Sequence, residues 1–287
     1  MNTTDLAFAS ALTQAQLIRS REISPLDLVS LYLDRIQQLD SQLGSYVTVI
    51  ADQALADAKA KTEQMAAANS DLPLFRGTDC HQRPDCCAGV RCTYGSPALL
   101  DNVSAYDDAV VARIKQAGFV ILGKTSVSEL GSLPYTEPVG LPVARNPWNL
   151  RSHGGRIERW SSSGSGSRTM SDCARFGWGW FGTGTSFCCG LVGLKPARGR
   201  VSFAPVGDHQ SGIGVNGVLA RTVADAAALL DVLAGYVVGD PYWLPDPERP
   251  FCRAPDQTQP PAEPIALPTP LKFCRLVRPI RTVSRRC

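Results

Sequence analysis

Histidine is scarce in this 287-residue chain, with His81, His153 and His209 the only three. No serine stands in a strand-to-helix nucleophile elbow either, so a Ser-His-Asp triad lacks its materials, and the adjacent Asp208 and His209 read as surface-loop residues. Paired C-x-x-C motifs with matching His or Cys are missing, which argues against a structural zinc site. The expectation is a cytoplasmic protein: no secretory leader precedes the chain, so its ten cysteines are not read as a disulfide framework.

What is present is unevenly spread. Nine of the ten cysteines fall in residues 76–88, in residues 151–189 or beyond Phe251, and only Cys92 sits in ordinary sequence. Trp160, Trp178 and Trp180 also fall in the second of these segments, so they are not read as an aromatic binding box. Residues 251–287 hold seven Lys and Arg against Asp256 and Glu263, in a chain whose overall balance is only +3. Seven prolines deny that tail a helix or a central strand. It reads as a disordered, foreign end rather than a basic arm, and no nucleic-acid or membrane partner is expected.

The rest of the chain carries regular patterns. Apolar spacing at Leu6, Leu12, Leu17 and Ile18 predicts one helix over residues 5–19. Ser24-Pro25 supplies an N-cap and a first-turn proline for a second helix to about Leu39, with Leu28, Leu31, Leu33 and Ile36 on its buried side. An Ala-rich third helix covers roughly 51–68. Ser104 with Asp107 predicts a capping box for a helix to Gln116, Gly118 stops it, and Phe119–Leu122 follows as a buried strand, the alternation of an α/β sheet. Gly118–Thr125 also matches the G-x-x-x-x-G-K-T phosphate-loop pattern, but its middle residues are that apolar strand, so nucleotide binding is not expected. Thr222 and Asp225 cap a last helix bearing Leu229, Leu230, Val232 and Leu233 and ending at Gly235.

Three blocks carry a resemblance. Gly190–Val201 (GLVGLKPARGRV), the AGFVILGKT run ending at Thr125, and Gly212–Asp225 resemble the amidase signature family, over about residues 5–250. In that family a loop of the type D-x-G-G-S-[IV]-R-x-P-A precedes the first block and supplies the nucleophilic serine, yet here Phe181 stands in its place. Skipping one nucleotide resolves the mismatch. Trp has a single codon, so Trp178-Gly179 and Trp180-Phe181 must each yield Gly, and permitted codons for residues 175–188 then spell G-S-D-G-G-G-S-V-R-V-P-A-S.

The same shift works twice more. Residues 155–160 can be read as G-G-S-S-G-G, the loop with the family's bridging cis-serine, and residues 76–84 as G-V-P-I-A-I-K-D-L, the segment with its lysine. The family positions of lysine, cis-serine and nucleophile thus fall on Gln82, Ile157 and Phe181, in the family's order and spacing.

The resemblance implies an α/β fold, an amidase-signature-like mixed sheet flanked by helices with an N-terminal helical layer. It is expected to be incomplete, ending before a further section of the family. Family-like structure is expected over 5–75, 89–150 and 190–245, with windows 76–88 and 151–189 irregular. The resemblance also implies hydrolysis of carbon–nitrogen amide bonds in small-molecule substrates without metal or cofactor. A neutral lysine takes a proton through the cis-serine, the nucleophile attacks, and glycine-loop amides hold the oxyanion. The acyl group passes to water, or to ammonia in the tRNA-dependent amidotransferase branch. With Gln82, Ile157 and Phe181 at those positions, this chain is expected to be inactive. The alternatives are a non-catalytic frameshifted remnant or pseudogene product and, more remotely, an amidotransferase subunit or small binding protein. Ser161, Ser162, Ser163 and Ser165 read as a flexible Ser-Gly loop, not a substitute nucleophile. The acyl substrate and oligomeric state are not legible.

Overall fold

The computed structural model describes residues 3–67, 86–131, 136–150, 189–208 and 211–253, together with the backbone of 78–82. The N-terminal pattern expected to form one helix forms two, α1 (Thr3–Phe8) and α2 (Ala11–Arg19). Ser10 breaks the run: its backbone is extended and its hydroxyl accepts the Thr13 N–H, restarting the helix. The buried Gln14 side chain then donates to the Leu6 and Ala9 carbonyls that the break leaves open, at 2.9 and 3.3 Å, and hydrogen-bonds the Tyr32 hydroxyl at 2.6 Å.

Helix α3 (Pro25–Leu43) starts as expected, with a reciprocal Ser24–Asp27 capping box and Pro25 in the first turn. It runs a turn beyond Leu39 because the stop signal is Gly44, whose left-handed φ of 58° closes the helix. Leu28, Val29, Tyr32 and Ile36 are buried, whereas Leu31 and Leu33 are only half-buried. Asp40 then accepts the Ser45 and Tyr46 N–H groups, turning the chain into strand β1 (Tyr46–Val49). Helix α4 (Ala51–Ala67) packs the small Ala54 and Ala58 into the same core as α3.

Strand β2 (Thr78–Gln82) lies inside the first window, which corrects the expectation of irregular chain there. A ladder uses only backbone N–H and C=O groups, so the neighbouring strand's free edge can pair with it whatever its side chains. That neighbour is β3 (Val120–Thr125), central in a mixed sheet of order β1-β3-β2, antiparallel to β1 and parallel to β2. Both faces of β3 are covered. Ile121 packs with Val111, Ile114, Leu229 and Leu233, while Val120 and Leu122 face Ile18, Leu28, Tyr32 and Ala54. The phosphate-loop pattern is accordingly a buried strand.

Helix α5 (Ala109–Gln116) precedes β3 and ends before Gly118, as expected, but it begins after Asp108, without a Ser104–Asp107 box. The Ser104 hydroxyl is used in a local turn with Tyr106, and Asp107 binds the Ala88 N–H and the Lys115 ammonium, both at 2.8 Å. Past the second window, β4 (Val192–Leu194) pairs antiparallel with β5 (Val218–Ala220), and α6 (Val223–Leu233) begins with the expected Thr222–Asp225 cap. Asp225 also accepts the Leu12 N–H at 3.0 Å, tying α2 to α6. Among the described residues no helix is long and apolar enough to cross a membrane. The chain divides into a unit ending at Cys252 and a second from Arg253, of which only that first residue is described.

Candidate functional site

The parallel β2–β3 ladder ends with Gln82 opposite Thr125. In α/β sheets the carboxyl ends of parallel strands are where ligands are held. Beyond β3 the chain enters a buried polar shelf, unusual for an interior otherwise made of Leu, Val and Ile: Ser126 and Ser128 are fully buried, and Ser96 and Thr93 nearly so. Each hydroxyl buried this deeply needs a partner. The Ser126 hydroxyl donates to the Gly44 carbonyl at 2.7 Å, and Ser96 donates to Glu129 Oε1 at 2.8 Å.

The shelf is held by strained backbone. Tyr94 and Leu130 both have φ of 50°, a left-handed conformation that costs a non-glycine residue on the order of 1–3 kcal/mol. The Leu130 N–H donates to the Tyr94 carbonyl at 2.8 Å, locking the two against each other. Between them only glycine fits at Gly95, where an added Cβ would meet the Val127 carbonyl oxygen at 2.5 Å. Sequence reading missed this shelf. The available signal was the polar run Thr-Ser-Val-Ser-Glu directly after an apolar strand.

Next to the shelf lies a cluster built on Cys86. Its Sγ is 3.2 Å from the Tyr94 hydroxyl. Hydrogen bonds from Cys92 first of all, then from Ser104, Tyr94 and Tyr106, outweigh burial and bring the thiol down to about 5. The same proximity, after burial, pushes the Tyr94 phenol up. Cys87 behaves oppositely: it joins the apolar core with Val110 and Ile114, and burial pushes its thiol up. Among the described residues no three of His, Cys, Asp and Glu converge as metal ligands would.

Of the family positions, Gln82 is described in its backbone alone, while Ile157 and Phe181 lie outside the described residues, as do His209 and the Ser161–Ser165 cluster. The flanks of the second window are described. The Trp148 indole N–H donates to the Cys189 carbonyl at 3.0 Å, and Asn146 Oδ1 accepts the Trp148 N–H at 2.9 Å. Asp208 is exposed and accepts the Gly212 N–H at 2.8 Å, the loop role expected of it.

A mixed sheet covered by helices on both sides, with a polar shelf beyond its central strand, is the fold of amidase-signature enzymes. The amidase family profile matches residues 27–283. A Synechocystis sp. amidase-family protein is 48% identical over 262 residues, covering 89% of this chain and 51% of that protein. The 6-aminohexanoate-cyclic-dimer hydrolase of Paenarthrobacter ureafaciens is 32% identical over 264 residues, covering 88% and 50%. The structure of a 6-aminohexanoate cyclic dimer hydrolase with its substrate superposes with a TM-score of 0.74 at 30% identity, covering 87% of this chain and 51% of that one. The chain therefore belongs to the amidase family, and it spans about half the length of these relatives.

Proposed function

We propose that this chain is a catalytically silent member of a family that hydrolyses amide bonds, its three catalytic segments being translated one nucleotide out of frame. The observation that carries the reading is a contrast: strong identity to amidases across the scaffold, against Gln82, Ile157 and Phe181 at the family positions of lysine, cis-serine and nucleophile. A glutamine amide has no basic lone pair to take a proton at neutral pH, isoleucine has no hydroxyl to relay it, and phenylalanine has no nucleophile. Losing all three removes the covalent route as a unit. The family's substrate class, a small-molecule amide, belongs to the ancestral activity. Hydrolysis is preferred over transfer to ammonia because the Synechocystis sp. protein is 48% identical, while a glutamyl-tRNA(Gln) amidotransferase protein of Desulforapulum autotrophicum is 38% identical. An amidotransferase origin remains the second reading.

The test is repair. The frame is restored so that lysine stands at 82, serine at 157 and serine at 181, and the protein is joined to the remaining length of its relatives. The repaired protein is expected to hydrolyse aliphatic or aryl amides, and to lose that activity when the restored lysine or nucleophile is replaced by alanine. A folded, repaired protein without amidase activity would overturn the reading.

A further inference from the structure

The loop carrying Cys86 and Cys92 is laced at both ends to the segment before α5. The Cys86 carbonyl accepts the Asp108 N–H at 2.9 Å and its own N–H donates to Asp108 Oδ2. The Cys92 N–H donates to the Asn102 carbonyl at 2.8 Å, and the Asn102 side-chain amide returns a bond to the Cys92 carbonyl at 2.9 Å. Between them the Gly89 N–H donates to the Ser104 carbonyl at 2.9 Å. With both backbones fixed, the two thiols hydrogen-bond each other inside a ring formed by the hydroxyls of Ser104, Tyr94 and Tyr106. Hydrogen-bonded sulfurs lie within about 4 Å, and a disulfide needs about 2 Å, so rotation of the side chains closes most of the gap. Tyr106 covers the cluster and is 42% exposed, giving a peroxide-sized molecule a route in. Cys87 does not compete, since it sits in the apolar core and its thiol meets Lys115 instead.

We propose that Cys86 and Cys92 form a peroxide-reactive dithiol that closes to a reversible disulfide. The Cys86 sulfur attacks one oxygen of hydrogen peroxide and the O–O bond breaks. Cys86 becomes a sulfenic acid, and the other oxygen leaves as hydroxide and is protonated to water. The Cys92 sulfur then attacks the sulfenic sulfur, the S–S bond forms, and the S–O bond breaks, with a second water carrying away the Cys92 proton. Two thiols lose two electrons and one peroxide gains them. The site pairs a cysteine of the first shifted window with the one cysteine of ordinary sequence, and it does not depend on whether the chain hydrolyses amides.

Arg91 lies between the two cysteines, so trypsin separates them unless a disulfide joins the fragments. The chain is treated with hydrogen peroxide and mapped without reduction. A Cys86–Cys92 crosslink, a mass loss of two hydrogens, and reversal by dithiothreitol are expected. Cys92→Ser is expected to leave the Cys86 sulfenic acid trapped and open to dimedone, and Cys87→Ser to leave the crosslink intact. A crosslink from Cys86 to Cys80 or Cys87, or a Cys86 that still takes iodoacetamide fully after peroxide, would overturn the proposal.

Discussion

Trp148 and Cys189 clasp the two ends of the second window: the indole N–H of one donates to the backbone carbonyl of the other at 3.0 Å. Trp148 lies before the shifted text, and the carbonyl at 189 is backbone, present whatever residue is encoded. The loop's anchorage is therefore independent of the frame inside it. Trp148→Phe removes the donor at a ring that is 72% exposed, so it is expected to cost no more than about 1 kcal/mol of global stability. Amide exchange at 189–191 is expected to quicken all the same; unchanged exchange there would show that the clasp holds nothing.

Asp225 has two tasks, and its removal reads both. One oxygen hydrogen-bonds the Thr222 hydroxyl in the α6 cap and the other accepts the Leu12 N–H from α2, 213 residues away. Asp225→Ala exposes a helix start and leaves a partly buried N–H without its acceptor, for an expected loss of about 2–3 kcal/mol in urea unfolding. A loss below about 0.5 kcal/mol, the range of ordinary surface substitutions, would mean that water replaces both bonds.

Gly95→Ala tests the strained shelf. The residue has φ of +69°, and a Cβ there meets the Val127 oxygen at 2.5 Å and the Ser128 carbonyl at 2.8 Å, all backbone. Because backbone must move, the expected loss is about 2 kcal/mol or more. A melting temperature within a degree of wild type would contradict the described geometry.

These tests probe features of unequal legibility. The Ser24 and Thr222 caps, the stop at Gly118 and the buried Phe119–Leu122 strand were readable because each depends on local chemistry. The break at Ser10 was hidden because the apolar period runs through it, and what separates α1 from α2 is a tertiary bond to Asp225 together with Gln14. The start of α5 was misplaced because the partners of Ser104 and Asp107 are set by a turn and by Ala88 and Lys115. Strand β2 was invisible for a different reason: its side chains carry no pattern, and only β3 beside it supplies a partner.

The acid limb of stability should carry the signature of Asp27. The Ser24 hydroxyl, and then the Ser24 N–H, hold its carboxyl below the usual range. A folded-state value below the unfolded one stabilises the fold fully above about pH 4, and that contribution is lost as pH falls through the folded value. The melting-temperature gap between wild type and Asp27→Asn is therefore expected to be constant near neutrality and to close in acid. A gap that widens on acidification would reverse the sign.

The most direct test of the central claim is activity of the chain as it stands. Purified protein is incubated with aliphatic and aryl amides and, separately, with a serine-directed fluorophosphonate. Silence is predicted on both counts: hydrolysis at the buffer rate and no covalent label, because Gln82, Ile157 and Phe181 supply no base, relay or nucleophile. Hydrolysis above background that the phosphonate abolishes, with the label mapped to Ser161, Ser162 or Ser163, would contradict it.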